Sequence, residues 1–416
     1  MRYEEIRNHI IGSILEIEAG LYKLKQKFFG GGRKEKIKVV FLCQYVPAWN
    51  KTRQLYETLK NDLRFEVMML CVPSDIAKET LPGQENDTWE YFTSLGYDAQ
   101  NALLEDGTWM DLKGLVPDYV FYPRPYDAYM PRQYHSRFVA RYAKVCILMY
   151  GMCFTEEDTK VVLTRDFFRN AYYYFAETEC MRDICIHRFK FTHLLGLRKT
   201  IFLGMPAMLD ILMSKDQGLG SWAFSKNDFR IMWTPRWTSD LKLGGTNFLD
   251  FYQPFLEYAE NNQDMDFLFR PHPMAFDNFL KKGEMTEGEI ADFKKNCHQL
   301  PNVQLDMAQE YTKTFWQTDV LVSDMSGIMP EFFITGKPVI FCVSNLVLEL
   351  NAFIKKMCEG CYIAKNIGEV FSYIENIKNG KDVLAEKRKE LCKELFGEDL
   401  EQIPVRIMEE IVNDCK

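Results

Sequence analysis

Residues 37–43 read Ile37-Lys38-Val39-Val40-Phe41-Leu42-Cys43, an apolar run interrupted once, near its start. It is far shorter than the roughly 20 residues of a membrane-spanning helix. It also lacks the polar alternation of a strand with one wet face, so it reads as a strand covered on both sides, the usual condition in a parallel sheet. The same texture recurs at Phe65–Val72, Tyr119–Tyr122 and Val145–Tyr150, with helical patterns over Thr52–Leu63 and Gln133–Ala143 between them. Thr200–Pro206 reads as the last strand of this series. A second series has strands at Phe229–Trp233, Asp266–Arg270, Val303–Asp306, Val320–Ser323 and Pro338–Val343. Its helices fall over Phe248–Asn262, Glu287–His298, Met307–Gln317 and Met329–Thr335, and the chain from Ile367 to Cys415 reads as helical. Two successive αβ series predict an α/β protein of two doubly wound, Rossmann-like domains facing across a cleft.

The expected boundaries are an N-terminal helix and basic linker over 1–36, a first domain over 37–213, a second over 214–395 and a C-terminal helix over 396–416. The joint falls in the Gly-, Ser-, Lys- and Asp-rich stretch Ser214–Asp228. In residues 1–29, Ile6, Ile10, Ile14, Ile17, Leu21 and Leu24 recur at helical spacing, and Gly30-Gly31-Gly32 ends the pattern. Two readings of that helix stay open: packing on the body, or contact with a membrane surface beside Lys23, Lys25 and Lys27.

Composition narrows the function. The chain of 416 residues has 47% hydrophobic and 26% charged residues, ordinary for a packed globular protein. Its 51 Lys and Arg against 59 Asp and Glu give a formal charge of −8, which argues against general nucleic-acid binding. The start, Met1–Ile10, has no signal-peptide core, so a cytoplasmic protein is expected. Twelve cysteines read as reduced and buried, and the single Cys358-x-x-Cys361 lacks the second pair that a zinc site uses. No metal site and no cofactor are expected.

Strand ends carry ligands in sheets of this kind, and three such segments stand out. Thr234-Pro235-Arg236 supplies a hydroxyl and a cation. Arg270-Pro271-His272-Pro273 holds an imidazole between prolines that fix the backbone, beside a guanidinium able to clamp a phosphoryl oxygen. Ser323-Asp324-Met325-Ser326-Gly327 ends a strand and opens a helix whose free N–H groups suit phosphate; a plain helix cap is the other reading. Glu331 follows on that helix as an acceptor for a ribose diol. In the first half, Tyr150-Gly151 and Arg124 each follow a strand. Among the histidines, His272 alone has a setting that suggests proton transfer or phosphate binding.

The order of these segments resembles the CDP-glycerol glycerophosphotransferases, the teichoic-acid primases and polymerases of Gram-positive bacteria and related capsule enzymes. The similarity covers about residues 37–395 and is strongest over 229–345. It implies a GT-B architecture and a transferase of the EC 2.7.8 type. Such an enzyme moves glycerol phosphate from CDP-glycerol, or a related CDP-polyol, to a lipid-linked or saccharide acceptor and releases CMP. It further implies work at the inner face of the cell membrane, peripherally. His272 matches the family's C-domain histidine and Arg270 the arginine two residues before it. Ser323, Asp324, Ser326 and Gly327 match the pyrophosphate-binding segment, and Glu331 its following carboxylate. Thr234, Arg236, Gly151 and Arg124 are the remaining expected substrate contacts. The chain departs from the family in its first half, where Met149-Tyr150-Gly151-Met152 stands in place of a Trp-His-Gly-Thr segment. The family's favoured base is thus absent, and Tyr150 joins His272 as the catalytic candidates, although an unperturbed tyrosine, with a pKa near 10, is a poor base. Two alternatives are a GT-B glycosyltransferase using a nucleotide sugar and a non-catalytic subunit that binds CDP-polyol.

Overall fold

A computed structural model describes residues 14, 17–25, 35–74, 86–163, 166–308, 310–397 and 399–415. They fall into two compact units. Unit 1 comprises Met1–Gly151, Thr159–Leu209 and Asp399–Lys416, and unit 2 comprises Met152–Asp158 and Asp210–Glu398.

Unit 1 is built on seven parallel strands: β1 (Ile37–Cys43), β2 (Phe65–Cys71), β3 (Ala99–Asn101), β4 (Tyr119–Tyr122), β5 (Lys144–Leu148), β6 (Tyr173–Phe175) and β7 (Lys199–Ile201). Their order is β3-β2-β1-β4-β5-β6-β7. The chain runs outward from β1 to β3 and then returns to β4 on the other side of β1, so the order reverses between β1 and β4. Val39–Cys43 are buried, which accounts for the unbroken apolar run. Across the strands the rings of Phe41, Phe121, Phe175 and Tyr173 stack at 4.9–6.2 Å.

Several elements of unit 1 differ from the sequence expectation. The helix expected over Gln133–Ala143 is only a turn of 3-10 helix at Arg132–Tyr134 and a short helix at Ser136–Val139. Tertiary bonds interrupt it. The Tyr134 ring is fully buried and its hydroxyl donates to the Met110 carbonyl, while Asp127 accepts from the Ser136 N–H and hydroxyl. The strand expected to reach Tyr150 stops at Leu148, and the one expected over Thr200–Pro206 is limited to Lys199–Ile201. β3 and β6, three residues each, were not expected; runs so short leave no periodicity to read. Of the N-terminal helix, residues 1–13, 15–16 and 26–29 lie outside the described residues, as does Gly30-Gly31-Gly32. Residues 17–25 are helical, with Ala19 and Lys23 buried and the Lys23 ammonium on the Ala171 carbonyl at 2.6 Å.

Unit 2 has six parallel strands: β8 (Arg230–Thr234), β9 (Asp266–Phe269), β10 (Val303–Leu305), β11 (Val320–Ser323), β12 (Val339–Cys342) and β13 (Tyr362–Ala364). Their order is β10-β9-β8-β11-β12-β13, which reverses between β8 and β11. An aromatic core covers one face: Trp233 stacks on Phe248 and Phe255 at 5.4 and 4.6 Å and meets Phe269 edge-on. Ser214–Asp228, read as a linker, is folded into this unit. Trp222 is fully buried there, and its indole N–H donates to the Thr318 hydroxyl at 3.0 Å and the Thr314 carbonyl at 3.2 Å. The stretch from Ile367 is three helices, Ile367–Lys378, Ala385–Phe396 and Ile403–Asp414, rather than one continuous run. The last of them belongs to unit 1. No helix among the described residues is long and apolar enough to cross a membrane.

Candidate functional site

In unit 2 the three segments singled out from the sequence follow β8, β9 and β11, which lie side by side. Thr234 pairs in register with Ser323, and Trp233 with Phe269. Arg236, His272 and Ser326 therefore share the carboxyl edge of the sheet, at the point where strand order reverses and where doubly wound sheets hold ligands.

Beneath that edge lies a buried polar support. The Thr234 hydroxyl donates to the Ser323 hydroxyl at 2.8 Å, and both residues are buried. Asp324 is 1% exposed and works as a hub. Its carboxylate accepts from the backbone N–H groups of Arg236 and Asn247, both at 3.0 Å, from the Thr246 hydroxyl at 2.8 Å and from the Asn247 amide at 2.7 Å. Burial pushes its pKa up, and the donors work against that rise. Thr234, Ser323 and Asp324, expected as substrate contacts, thus shape the loops that carry such contacts. Glu331 is also buried and accepts from the Tyr311 hydroxyl at 2.7 Å.

The cations differ in what they have left to offer. Arg270 is committed: one guanidinium nitrogen pairs with Asp306, the other donates to the Ala308 carbonyl at 2.6 Å, and the group lies over the Tyr311 ring at 5.0 Å. Among the described residues the Arg236 guanidinium bonds to carbonyl oxygens, those of Leu243 at 2.6 Å and Met325, and forms no ion pair. Its charge is therefore not cancelled by a bonded carboxylate. Gly244 permits this packing. It has φ +100°, and a Cβ there would lie 2.4 Å from Met325 Cε and 3.1 Å from Arg236 Nε.

His272 Nδ1 accepts the Met274 N–H at 3.2 Å, which places the proton of the neutral ring on Nε2. Burial, followed by the charges of Arg236 and Arg270, pushes its pKa down to about 4. At neutral pH it is an uncharged hydrogen-bond donor. Ser326 is half-buried and Gly327 exposed, with open space where a Cβ would sit. One guanidinium with no carboxylate bonded to it, one imidazole N–H and an open Ser-Gly backbone form an edge that suits a phosphate or diphosphate.

In unit 1, Arg124 and Tyr150 follow β4 and β5. The Arg124 guanidinium lies among the rings of Tyr45, Tyr126 and Tyr129, and the Tyr150 and Tyr126 hydroxyls are 3.1 Å apart. Gly151 has open space beside it. Sequence reasoning missed Thr246, Asn247, Gly244, Asp306 and Tyr311 in unit 2, and Gln44, Tyr45, Tyr126 and Tyr129 in unit 1. Of these, Gln44, Tyr45 and Asp306, each just past a strand, had a positional signal.

Residues 217–388, within unit 2, match the model of the family described as CDP-Glycerol:Poly(glycerophosphate) glycerophosphotransferase. The match spans 217–388, within the second unit alone, and contains all three strand-end segments. No curated protein matches the chain in sequence. Among solved structures, the wall teichoic acid polymerase TagF matches with TM-score 0.56 and 14% identity over 100% of this chain and 98% of that one. A UDP-GlcNAc 2-epimerase from Neisseria meningitidis, bound to UDP-GlcNAc, matches with TM-score 0.59 and 14% identity over 91% and 100%. A putative UDP-N-acetylglucosamine 2-epimerase from Listeria monocytogenes matches with TM-score 0.56 and 11% identity over 90% and 96%. These likenesses show a common GT-B-like fold of two parallel-sheet, Rossmann-like domains.

Proposed function

We propose that the chain transfers glycerol phosphate, or another polyol phosphate, from CDP-glycerol or a related CDP-polyol to a lipid-linked or saccharide acceptor in teichoic-acid or capsule-type polymer synthesis. The observation that carries this is the unit 2 edge, where Arg236, His272 and Ser326-Gly327 meet inside the segment that matches the family. An acceptor hydroxyl oxygen forms a bond to the β-phosphorus, and the bond from that phosphorus to the bridging oxygen breaks. The electron pair leaves with CMP, and the proton of the acceptor hydroxyl is released to solvent as the new bond forms. A phosphate monoester has a second pKa near 6, so CMP departs near neutrality without needing a proton. His272, neutral with its proton on Nε2, accordingly acts as a donor to diphosphate oxygens rather than as an acid. Arg236 supplies the charge that phosphoryl transfer requires.

The test is CMP release from CDP-glycerol by the purified chain with a soluble acceptor analogue. His272→Ala and Arg236→Ala are each expected to lower the rate by about 100-fold or more, as for other preorganised donors. Absence of CMP with CDP-glycerol and CDP-ribitol alike would sink the proposal.

A peripheral membrane location belongs to the same reading. In the described part of the N-terminal helix Ile14, Ile17 and Leu21 are 58%, 64% and 61% exposed, which supports contact with an apolar medium. Deleting residues 1–29 is expected to release the protein from anionic vesicles; unchanged binding would refute that location.

A further inference from the structure

The carboxyl ends of β1 and β4, where strand order reverses in unit 1, carry a charged group unlike Arg270. Arg124, just past β4, has its guanidinium carbon 3.8 Å from the Tyr129 ring centre, 4.7 Å from that of Tyr45 and 5.5 Å from that of Tyr126. Its Nη1 donates to Gln44 Oε1 at 3.2 Å. Gln44 is buried just past β1, and its amide nitrogen donates to the carbonyls of Pro73 and Ser74, which turns its oxygen toward the arginine. Arg124 Nε is buried with no acceptor, and among the described residues no carboxylate pairs with the group. Aromatic faces hold a cation in place without cancelling its charge, and they leave the in-plane N–H edge for an anion. Next to it the Tyr126 and Tyr150 hydroxyls, 3.1 Å apart, form an edge that can both donate and accept.

We propose that this tyrosine-held arginine is a phosphate site of unit 1. Arg124 binds a phosphate of the acceptor, and the Tyr126–Tyr150 pair reads the adjoining polyol hydroxyls. This rests on the reading above that the chain is a polyol-phosphate transferase, and it adds the residues by which that enzyme holds the phosphate of its acceptor.

The test uses the full chain and sn-glycerol 3-phosphate, inorganic phosphate and glycerol as probes, titrated by ligand-observed NMR. Glycerol phosphate is expected to bind about tenfold or more tightly than either of the other two, since a hydrogen bond to a charged group has that worth. Arg124→Gln is expected to remove the advantage, and Arg124→Lys, which keeps the charge without the planar fork, to retain part of it. Thermal stabilisation by CDP-glycerol, measured on the same samples, is expected to be the same in the wild type and both variants. Equal binding of glycerol and glycerol phosphate overturns the inference, as does equal binding of inorganic phosphate or an Arg124→Gln variant that binds like the wild type. A lysine variant no better than the glutamine one overturns the part assigned to charge. If CDP-glycerol fails to stabilise the wild type while glycerol phosphate binding depends on Arg124, the donor reading falls and the phosphate site stands.

Discussion

The Asp324 carboxylate accepts the Arg236 backbone N–H at 3.0 Å, and this bond ties the end of β11 to the loop after β8. The same carboxylate gathers Thr246 and Asn247, so one buried anion sets the course of two loops. Asp324→Asn would turn an N–H group toward donors and leave others unpaired. We expect a loss of about 2–4 kcal/mol in unfolding free energy, the range for breaking a buried charged network. Weaker stabilisation by CDP-glycerol should accompany it, because Arg236 loses its anchor. Denaturant unfolding with and without CDP-glycerol checks both; a wild-type midpoint would contradict the role given to Asp324.

His272 gives a pH signature. Its pKa in the folded chain is about 4, below the ordinary value near 6.5. Between those values the unfolded chain holds a proton that the folded chain refuses, so stability falls as pH drops from about 6.5 toward 4 and is fully present above 6.5. His272→Gln should flatten the stability profile in that window, by on the order of 1–3 kcal/mol at its acid end. A bound diphosphate should raise the His272 pKa, because an anion favours the charged ring. Histidine NMR titration with and without CDP-glycerol measures that shift, and a downward move would rule out contact with the diphosphate.

The long buried strands were legible because their side chains face apolar neighbours on both sides. Val39–Cys43, Tyr119–Tyr122 and Val320–Ser323 are buried throughout and carry no polar residue except the terminal serine. β3, β6 and β13 are three residues each and draw their definition from the strands beside them, which no local pattern reveals. The candidate site divides in the same way. Arg236, His272 and Ser326 announce themselves by standing just past strands beside proline or glycine. What holds them does not: Asp306 lies 36 residues from Arg270, and Asn247 lies 77 from Asp324. Which hydroxyls and carboxylates face inward depends on such distant partners. Thr234, Ser323, Asp324 and Glu331, read from the sequence as ligand contacts, are buried in the fold and bonded to such partners.

Gly244 separates two sources of strain. A Cβ there meets Met325 Cε at 2.4 Å, the mobile end of a flexible side chain that can move aside. The φ of +100° is a backbone cost that no neighbour can relieve. Gly244→Ala should cost about 1–3 kcal/mol and weaken CDP-glycerol binding through Arg236. Met325→Ala in the same chain should recover only a small part. Full recovery in the double variant, measured by thermal unfolding, would show that crowding and not backbone conformation sets the cost.

Asp414, near the end of the chain, binds the last helix into unit 1. Its carboxylate accepts from the Tyr119 and Tyr172 hydroxyls at 2.7 and 2.6 Å and from the Lys144 and Lys199 ammonium groups at 2.6 and 2.9 Å. Burial opposes its charge, yet Lys144, Tyr172 and Lys199 together hold its pKa below the usual carboxylate value. Its contribution is therefore present above the unfolded pKa near 3.9 and is lost as pH falls through the lower folded value. Asp414→Ala leaves Lys144 and the Tyr119 and Tyr172 hydroxyls without their anion, while Lys199 keeps Glu410 at 3.1 Å, and we expect a loss of about 2–4 kcal/mol near neutrality, below the range for fully buried pairs because the lysines are partly exposed. Tyr119, Lys144, Tyr172 and Lys199 lie on or beside β4, β5, β6 and β7, so the loss should appear as faster amide hydrogen exchange in those strands while β8–β13 keep their protection. Uniformly faster exchange in both sheets would instead mean that the two units unfold as one.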